Sequence, residues 1–264
     1  MQPSTSFATF VAPAAWHAID FISDLHLTTS TPRTFEAFAD YLRRTPADAV
    51  WILGDLFEVW VGDDTRLEGF EARVTAALAE ASSHHWIGFM AGNRDFLLGD
   101  AMLRDCRMHA VADPTLLCAF GTRTLLVHGD ALCLGDESYQ AFRRVVRDPK
   151  VQAEFLSRAL PERRSIAQTM REESERGKGT PPPGATADLD RRATVALMEA
   201  AGAATLIHGH THRPRSAALA PGRMRHVLSD WDLDDPAAAR AEVLRWQASG
   251  FARMPWHDAV RPAR

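Results

Sequence analysis

The stretch Ala49-Val50-Trp51-Ile52-Leu53-Gly54-Asp55 indicates the fold, because five consecutive apolar residues run into a glycine and a carboxylate. A short apolar run closed by a turn residue is typical of a buried strand. Asp55 is therefore predicted to lie at the carboxyl end of that strand. Ligands of open α/β sheets bind just outside these strand ends. The sequence thus predicts a functional site that includes Asp55.

Four further stretches have the same form, with polar residues after an apolar run. They carry Asp24-Leu25-His26, Gly92-Asn93, His128-Gly129 and Gly209-His210-Thr211-His212. Asp24 and His26 are two positions apart, so on an extended strand end their side chains are predicted to point the same way. The glycines are expected to let the backbone pass close to bound ions.

Each of these pairs taken singly is more simply explained as a polar turn. Together, five strand ends supply Asp, Asn and His without Cys. Oxygen and nitrogen ligands of this kind suit Mn²⁺, iron or Zn²⁺. The sequence therefore predicts a metal centre.

The composition is that of an ordinary globular protein, with 46% hydrophobic and 24% charged residues among 264. A formal charge of −4 gives no overall attraction to nucleic acid, and no nucleic-acid partner is expected. Three cysteines without CxxC spacing fit a reducing compartment. No apolar run approaches the roughly 18 residues of a membrane span, and the N-terminus lacks the basic residues of a signal peptide. A cytoplasmic location is expected.

The order strand, helix, strand, helix, strand up to Asn93 favours a parallel α/β half. Its first helix is predicted to begin at Thr31-Pro32, with Thr31 as N-cap, and to end before Pro46. A hairpin is predicted around Gly121-Thr122. Residues 1–13 are expected to form a loose extension, and the short strands after His212 a second, mostly antiparallel sheet.

Residues 137 to about 197 are predicted to be helical. An apolar stripe between Tyr139 and Leu160 lies beside a dense set of arginines: Arg143, Arg144, Arg147, Arg158, Arg163, Arg164 and Arg171. Residues 177–184 contain three consecutive prolines and are expected to form a loop. Without other information, the arginines are as consistent with a solvated basic face as with a binding surface.

In their order along the chain, these motifs resemble those of the calcineurin-like metallophosphoesterase superfamily. Within it they resemble enzymes of lipid A synthesis that hydrolyse a UDP-linked diacylglucosamine, over residues 21–27, 52–58, 92–99, 128–133 and 207–214. The resemblance covers nearly all of residues 19–256. It implies one α/β domain over residues 1–264, an α+β-type four-layer αββα sandwich, with a helical cap inserted at about residues 134–195.

The resemblance also implies two Mn²⁺ ions. The ligands of the first would be Asp24, His26, Asp55 and His212. Those of the second would be Asp55, Asn93, His128 and His210, so that Asp55 bridges the ions. Such a pair, about 3.5 to 4 Å apart, activates water and clamps both oxygens of an in-line displacement at phosphorus. His208 is out of phase with His210 and His212 and is predicted to support the ligands.

Arg94 stands where many members of the superfamily carry a His that protonates a departing alkoxide. A guanidinium does not donate its proton, so the leaving group should need none. A phosphate with a second pKa of about 6 meets that requirement. Arg94 is therefore predicted to stabilise charge on a diphosphate, and a surface ion pair with Asp95 is the alternative. The implied catalytic residues are Asp55, Asn93, Arg94, His128 and His210.

The implied products are UMP and diacylglucosamine 1-phosphate. By position, the implied substrate contacts are Asn93, Arg94, Asp136, Tyr139, Arg171, Ser174, Lys178 and His210. The sequence departs from the family pattern around Lys178. Two alternatives remain: a non-catalytic scaffold, against which the complete ligand set argues, and a soluble nucleotide phosphodiesterase, which has no obvious use for an apolar, basic cap.

The lipid substrate implies contact with a membrane. A monomer held reversibly on the cytoplasmic face of the inner membrane is expected. The arginines beside the apolar stripe are expected to meet anionic headgroups.

Overall fold

The computed structural model of the protein describes residues 7–177, 188–237 and 239–261, with the side chains of 173–177 left out. The strands are β1 (Ala8–Val11), β2 (Ala18–Ile22), β3 (Ala49–Leu53), β4 (Trp86–Met90), β5 (His109–Val111), β6 (Thr115–Ala119), β7 (Thr122–Leu126), β8 (Thr205–His208), β9 (Arg215–Ala220), β10 (Arg223–Val227), β11 (Glu242–Gln247) and β12 (Gly250–Pro255). The helices are α1 (Pro32–Arg44), α2 (Gly69–Ala81), α3 (Asp100–Cys106), α4 (Glu137–Val146), α5 (Pro149–Leu156), α6 (Leu160–Gly177), α7 (Arg191–Ala200) and α8 (Trp256–Ala259). Short 3₁₀ turns form at Asp63–Leu67 and Asp130–Leu132.

The strands form two six-stranded sheets. The first sheet has the order β12-β11-β2-β3-β4-β5, and its strands from β2 to β5 are parallel. The second sheet has the order β1-β6-β7-β8-β10-β9 and is mixed. The predicted parallel half is therefore confirmed as the centre of the first sheet.

The two sheets stack face to face, and helices cover both outer faces. Along β3, Trp51 points into the core between the sheets, while Ile52 points toward the helices α1, α2, α3 and α8. On the outer face of the second sheet, Leu206 packs with Met198 of α7. The layers are therefore αββα, and the fold class implied by the resemblance is confirmed.

Helix α1 spans residues 32–44 and ends before Pro46, as predicted. Its N-terminal amides are capped differently from the prediction, because Thr31 Oγ1 bonds to Thr28. The carboxylate of Asp234 instead accepts the N–H groups of Arg33 and Thr34, at 3.0 and 2.9 Å. A residue from the C-terminal part of the chain thus completes this helix.

The loose extension predicted for residues 1–13 is wrong for residues 7–13, and residues 1–6 lie outside the described chain. Strand β1 pairs in parallel with β6 at the edge of the second sheet. Phe10 anchors it in an aromatic cluster, with its ring centroid 5.1 Å from that of Trp51 and 4.8 Å from that of Trp86. Four residues of which only Phe10 is partly buried give too little periodicity to be recognised as a strand.

The strands after His212 do not form a sheet of their own, so that prediction is wrong. β9 and β10 complete the second sheet, whereas β11 and β12 extend the first sheet beside β2. A buried ion pair from Arg245 on β11 to Asp20 on β2, with Nε to Oδ1 at 2.7 Å, holds β11 in place. The hairpin prediction is confirmed by β6 and β7, whose connection at Phe120 and Gly121 has φ of 49° and 75°, as in a type I′ turn.

Helices α4, α5 and α6 lie off the sandwich, and we call residues 137–177 the cap. None of the side chains of α4 and α5, both fully described, is buried. Helix α7 was included in part in the predicted insertion, but Thr194 and Met198 bury it against the second sheet. Within the described ranges, no helix combines the length and the apolar character needed to cross a membrane.

Candidate metal centre

The predicted ligands lie at the carboxyl ends of strands from both sheets. Asp24, His26 and His212 form one group, and their ligand atoms lie within 4.8 Å of one another. The second group, with the same spacing, consists of Asp55, His128 and His210. Each group combines residues that follow β2 or β3 of the first sheet with residues that follow β7 or β8 of the second. Stacking of the two sheets therefore assembles the site.

In the first group, the two imidazoles face each other. His26 Nε2 lies 3.2 Å from His212 Nε2, and His212 Nε2 lies 3.4 Å from Asp24 Oδ1. Asp24 is fully buried, and its carboxylate accepts the backbone N–H of His210 at 2.9 to 3.0 Å. Asp24 of the first group is thus hydrogen-bonded directly to His210 of the second group.

In the second group, Asn93 lies between the two imidazoles. Its Oδ1 is 3.0 Å from His128 Nε2 and 2.9 Å from His210 Nδ1. His128 Nε2 is also 3.7 Å from Asp55 Oδ2. The structure therefore brings Asn93 together with the second group, as the family resemblance implied. A bridging role of Asp55 between two ions stays a prediction.

The backbone at these ligands is in an unusual conformation. Among the described residues, five of the seven non-glycine residues with positive φ are predicted ligands: Asp24, His26, Asp55, His210 and His212, with φ between 48° and 64°. Such conformations cost about 1–3 kcal/mol each and cluster at functional sites. The predicted extended geometry of Asp24 and His26 is wrong, since both residues are left-handed, although Leu25 between them is buried as expected.

Two glycines are required by close packing within the site. A Cβ on Gly92 would overlap the carboxylate of Asp55, and one on Gly209 would overlap that of Asp24. The absent side chains therefore make room for the ligands themselves.

Electrostatics favours cations at the site. Burial raises the pKa of Asp24, but the neighbouring imidazoles, first His212, hold it well below its usual value. Burial lowers the pKa of His128, but the charge of Asp55 and of other carboxylates raises it to about 9. The pKa of His210 is lowered to about 4 by burial and by the charge of His128. The buried carboxylate of Asp24 is thus held in its charged form, which favours binding of a cation.

The donor set fits divalent metal ions. Each group offers carboxylate oxygen and imidazole nitrogen, and neither contains sulfur. The second nitrogen of two ligands is also held: His128 Nδ1 lies 2.8 Å from the carbonyl of Leu53, and His26 Nδ1 lies 2.9 Å from Glu58 Oε2. Contacts of this kind orient metal-binding imidazoles. One divalent ion per group is consistent with this geometry.

Arg94 lies beside the site but does not pair with Asp95, so the alternative of a surface ion pair between them is wrong. Asp95 is fully buried and accepts the backbone N–H groups of Gly92 and Leu56, at 2.8 and 2.7 Å. Burial and the charge of Asp55 raise the pKa of Asp95 to about 6. Arg94 instead places Nη1 3.6 Å from Glu58 Oε1, and its backbone N–H donates to Asp55 Oδ1 at 2.8 Å.

Helix α4 of the cap is fastened to two ligand loops. The buried carboxylate of Asp130 accepts hydrogen bonds from Tyr139 Oη and Arg143 Nε, both at 2.7 Å. Arg147 Nη2 donates to the carbonyl of Gly92 at 2.8 Å and lies 3.9 Å from Asp130. Asp130 follows His128 and Gly92 precedes Asn93, so α4 and its C-cap residue Arg147 contact the loops of both ligands.

Two further cap arginines, Arg163 and Arg158, also form ion pairs. Arg163 is 4% exposed and pairs with Asp64, and its Nη1 donates to the carbonyl of Val61. Arg158 pairs with Glu162 on the cap surface at 2.8 Å. The expectation that the cap arginines meet headgroups therefore does not hold for the buried Arg163. For Arg143 and Arg147, which contact the ligand loops and are about a quarter exposed, it stays a prediction.

The predicted substrate contacts are only partly brought together. The ring of Tyr139 lies 6.2 Å from that of His210, and Arg171 Nη1 lies 3.5 Å from Glu58 Oε1. Asp136 is exposed and caps α4 by accepting the N–H of Tyr139 at 2.9 Å. Ser174 is on α6 with an undescribed side chain, and Lys178 lies outside the described residues.

Four acidic residues of the site were not predicted. They are Glu58, which contacts His26; Asp95, which holds the Asp55 loop; Asp130, which receives α4; and Asp230, whose Oδ2 lies 3.7 Å from His212 Nδ1. The first three lie two or three residues beyond a predicted ligand, so their closeness to the motifs in sequence was a signal that could have identified them. His208, predicted to support the ligands, is buried and accepts a hydrogen bond from Arg225 Nε at 2.7 Å.

Comparison with known proteins agrees with this geometry. Residues 17–214 match the calcineurin-like phosphoesterase family. A UDP-2,3-diacylglucosamine hydrolase of Aromatoleum aromaticum is 43% identical over 237 residues, which cover 87% of this chain and 93% of the relative. Proteins of the same name from Ralstonia nicotianae and Xanthomonas campestris are 45% and 42% identical, over 89% and 88% of this chain and 91% and 96% of the relatives. This chain therefore belongs to the calcineurin-like phosphoesterase family.

Proposed function

We propose that this protein hydrolyses the diphosphate of UDP-2,3-diacylglucosamine, releasing UMP and 2,3-diacylglucosamine 1-phosphate for lipid A synthesis. The observation that carries the proposal is the convergence of the two ligand groups, Asn93 and Arg94 at the carboxyl ends of strands from both sheets, beside a cap with exposed apolar side chains. Relatives 42 to 45% identical bear the name of this hydrolase. The proposed architecture is one domain over residues 1–264 with the cap inserted in it.

Two Mn²⁺ ions are the proposed cofactors. Asp24, His26 and His212 would hold one ion and Asn93, His128 and His210 the other, with Asp55 shared between them. A pair of divalent ions supplies activation of the water nucleophile and charge neutralisation at phosphorus. The carboxylates of Asp24 and Asp55 are at most 2% exposed, so solvent screens their charge little.

Arg94 is proposed to bind the diphosphate and not to act as an acid. A guanidinium does not act as an acid in proteins and forms charge-assisted hydrogen bonds to phosphate oxygens. Water attack at the α phosphorus makes the sugar 1-phosphate the leaving group. That group departs as an anion without a proton. Tyr139 is no substitute acid, because burial and the charge of Asp130 raise its pKa well above its usual value.

The cap is proposed to hold the acyl chains and the glucosamine. Its exposed apolar side chains are Phe142, Val145, Val151, Leu156 and Met170, which are 37 to 57% exposed. Each methylene that the lipid buries there contributes about 0.8 kcal/mol. Polar substrate contacts are proposed for Asp136, Tyr139, Arg171, Ser174 and Lys178.

The same apolar surface supports reversible binding to the cytoplasmic face of the inner membrane, by a monomer. Two weak signals, apolar contact and a few cations, give such binding and not permanent anchoring. Because several cap arginines are engaged with the sandwich, we expect the apolar part to dominate, and binding to persist in moderate salt.

The test is an assay of UMP release from the lipid substrate in micelles with Mn²⁺, run beside bis(p-nitrophenyl) phosphate. We expect metal-dependent release of UMP, and a kcat/KM for the lipid at least about 100-fold above that for the diester, as a few kcal/mol of acyl-chain binding allow. In oxygen-18-labelled water the label should enter UMP.

Three outcomes would contradict the proposal. A diester hydrolysed as well as the lipid would indicate a general phosphodiesterase. Bound metal without hydrolysis of either compound would indicate a scaffold. Label in the sugar 1-phosphate would place the attack at the wrong phosphorus.

A further inference from the structure

Glu58 contacts three side chains that belong to different parts of the site. Its carboxylate is 13% exposed and lies in the loop after β3. Oε2 is 2.9 Å from His26 Nδ1, while Oε1 is 3.6 Å from Arg94 Nη1 and 3.5 Å from Arg171 Nη1. One side chain thus contacts a predicted metal ligand, a predicted diphosphate ligand and the cap.

The backbone of the same loop is fixed to the same two neighbours. The N–H of Glu58 donates to the carbonyl of Leu27, the residue after His26, at 3.2 Å. The N–H of Trp60 donates to the carbonyl of Arg94 at 3.1 Å. The backbone at Glu58 is therefore held between the His26 and Arg94 loops by main-chain bonds, and its carboxylate lies within reach of both side chains.

Charge explains why a carboxylate is needed there. Arg94 and Arg171 both approach Oε1, and without an anion between them two guanidinium groups so placed repel each other. A carboxylate placed between the two guanidinium groups attracts both of them and offsets that repulsion.

We propose that Glu58 is a positioning residue that aligns His26 through Nδ1 and holds Arg94 and the cap residue Arg171 at the same point. The two carboxylate oxygens of Glu58 have different roles. Oε2 fixes the ring so that Nε2 faces His212, and Oε1 joins the cap to the metal centre. This inference rests on the proposed function for the role of the two arginines, but its metal-binding part does not.

The first experiment measures Mn²⁺ binding by calorimetry after removal of metal, in wild type, Glu58→Gln and Glu58→Asp. Loss of a carboxylate behind a metal-binding His weakens metal affinity by about 10- to 100-fold, and we expect this for Glu58→Gln. Glu58→Asp keeps the charge but is shorter, so a smaller loss is expected. The matched control is Glu154→Gln, since this carboxylate pairs with a cap arginine on the surface, where it is 73% exposed.

The second experiment is a double-mutant cycle of Glu58→Gln with Arg171→Gln, read as KM for the lipid substrate. If Glu58 holds Arg171, the two single variants raise KM and the double variant is no worse than the poorer of them. KM changes that multiply would overturn the link to the cap.

Mn²⁺ affinity equal to wild type in both Glu58 variants would overturn the role at His26. This measurement needs no lipid substrate. A wild-type protein that binds Mn²⁺ but releases no UMP would therefore refute the proposed function, while the affinity of the Glu58 variants would still decide this inference. Should Glu58→Gln fail to fold, the affinity of Glu58→Asp decides.

Discussion

The sandwich and the cap contribute to one site but are built in opposite ways. Asp24, Asp55 and His128 at the strand ends are 0 to 2% exposed, and strained backbone and close-packed glycines fix their positions. On the cap, Phe142 and Val145 are 43 and 57% exposed. The cap is joined to the sandwich mainly through polar contacts of its arginines. The difference is between tightly packed candidate ligands and an exposed apolar surface, and the proposed binding of an acyl chain requires such a surface.

Removal of a metal ligand should have the largest effect. Asp55→Asn and His128→Ala are expected to lower kcat/KM by about 10³-fold or more, because metal ions supply several kcal/mol of transition-state stabilisation. Metal content should fall in both variants, while circular dichroism should report a folded protein. Near-wild-type metal content in either variant would contradict the ligand assignment.

Polar substitution in the cap should distinguish the function of the cap from that of the metal centre. Phe142→Asp and Phe155→Asp are expected to lower turnover of the lipid substrate by about 10- to 100-fold, since burial of a Phe side chain contributes about 1.5–3 kcal/mol. Hydrolysis of bis(p-nitrophenyl) phosphate and Mn²⁺ affinity should be unchanged. Equal loss on both substrates would mean that these residues support the fold, and the acyl-binding role of the cap would be refuted.

Arg94 lies where the two regions meet, because Glu58 also approaches Arg171 of the cap. Arg94→His is expected to lower turnover of the diphosphate by about 10-fold, as loss of a charge-assisted hydrogen bond costs about 1.5–3 kcal/mol. Low pH should not restore activity, because the role is electrostatic. A pH–rate profile of this variant that rises toward acid would instead indicate that the site uses a proton donor.

The sequence was most informative about the sandwich. An apolar run that ends in Gly54-Asp55 or Gly92-Asn93 marks a strand and its tip together, and two stacked sheets bring such tips to one edge. It could not reveal that Asp24 and His26 leave the strand in left-handed conformations, because that depends on packing from the opposite sheet.

The sequence was least informative where partners are far apart along the chain. Arginines in the cap have the same appearance in sequence whether they face lipid or, like Arg163 and Arg147, face the sandwich. Glu58 lies in a loop without periodicity, and its three partners come from three other segments. Asp234 likewise caps α1 from the far end of the chain. Such contacts are decided by tertiary structure.

The smallest expected effect concerns the stability of the protein in acid. It is expected from the sandwich and not from the cap. The cap contains no histidine, whereas the sandwich contains the buried His226. Its Nδ1 lies 2.7 Å from Ser216 Oγ, and its ring packs on Phe251 with centroids 4.6 Å apart. Burial, together with the charge of Arg253, lowers the pKa of His226 to about 4.

Between pH 4 and the unfolded pKa of about 6.5, the unfolded chain therefore binds the extra proton. The contribution of His226 to stability is complete above pH 6.5 and is lost as the pH falls toward 4. His226→Phe keeps the packing on Phe251 and removes the titration, so its free energy of unfolding should fall less steeply, by at most about 1.4 kcal/mol per pH unit. Urea titrations from pH 7.5 to 4.5 measure this, with His84→Phe as an exposed control. Parallel slopes for His226→Phe and wild type would show that His226 does not carry the acid sensitivity of the sandwich.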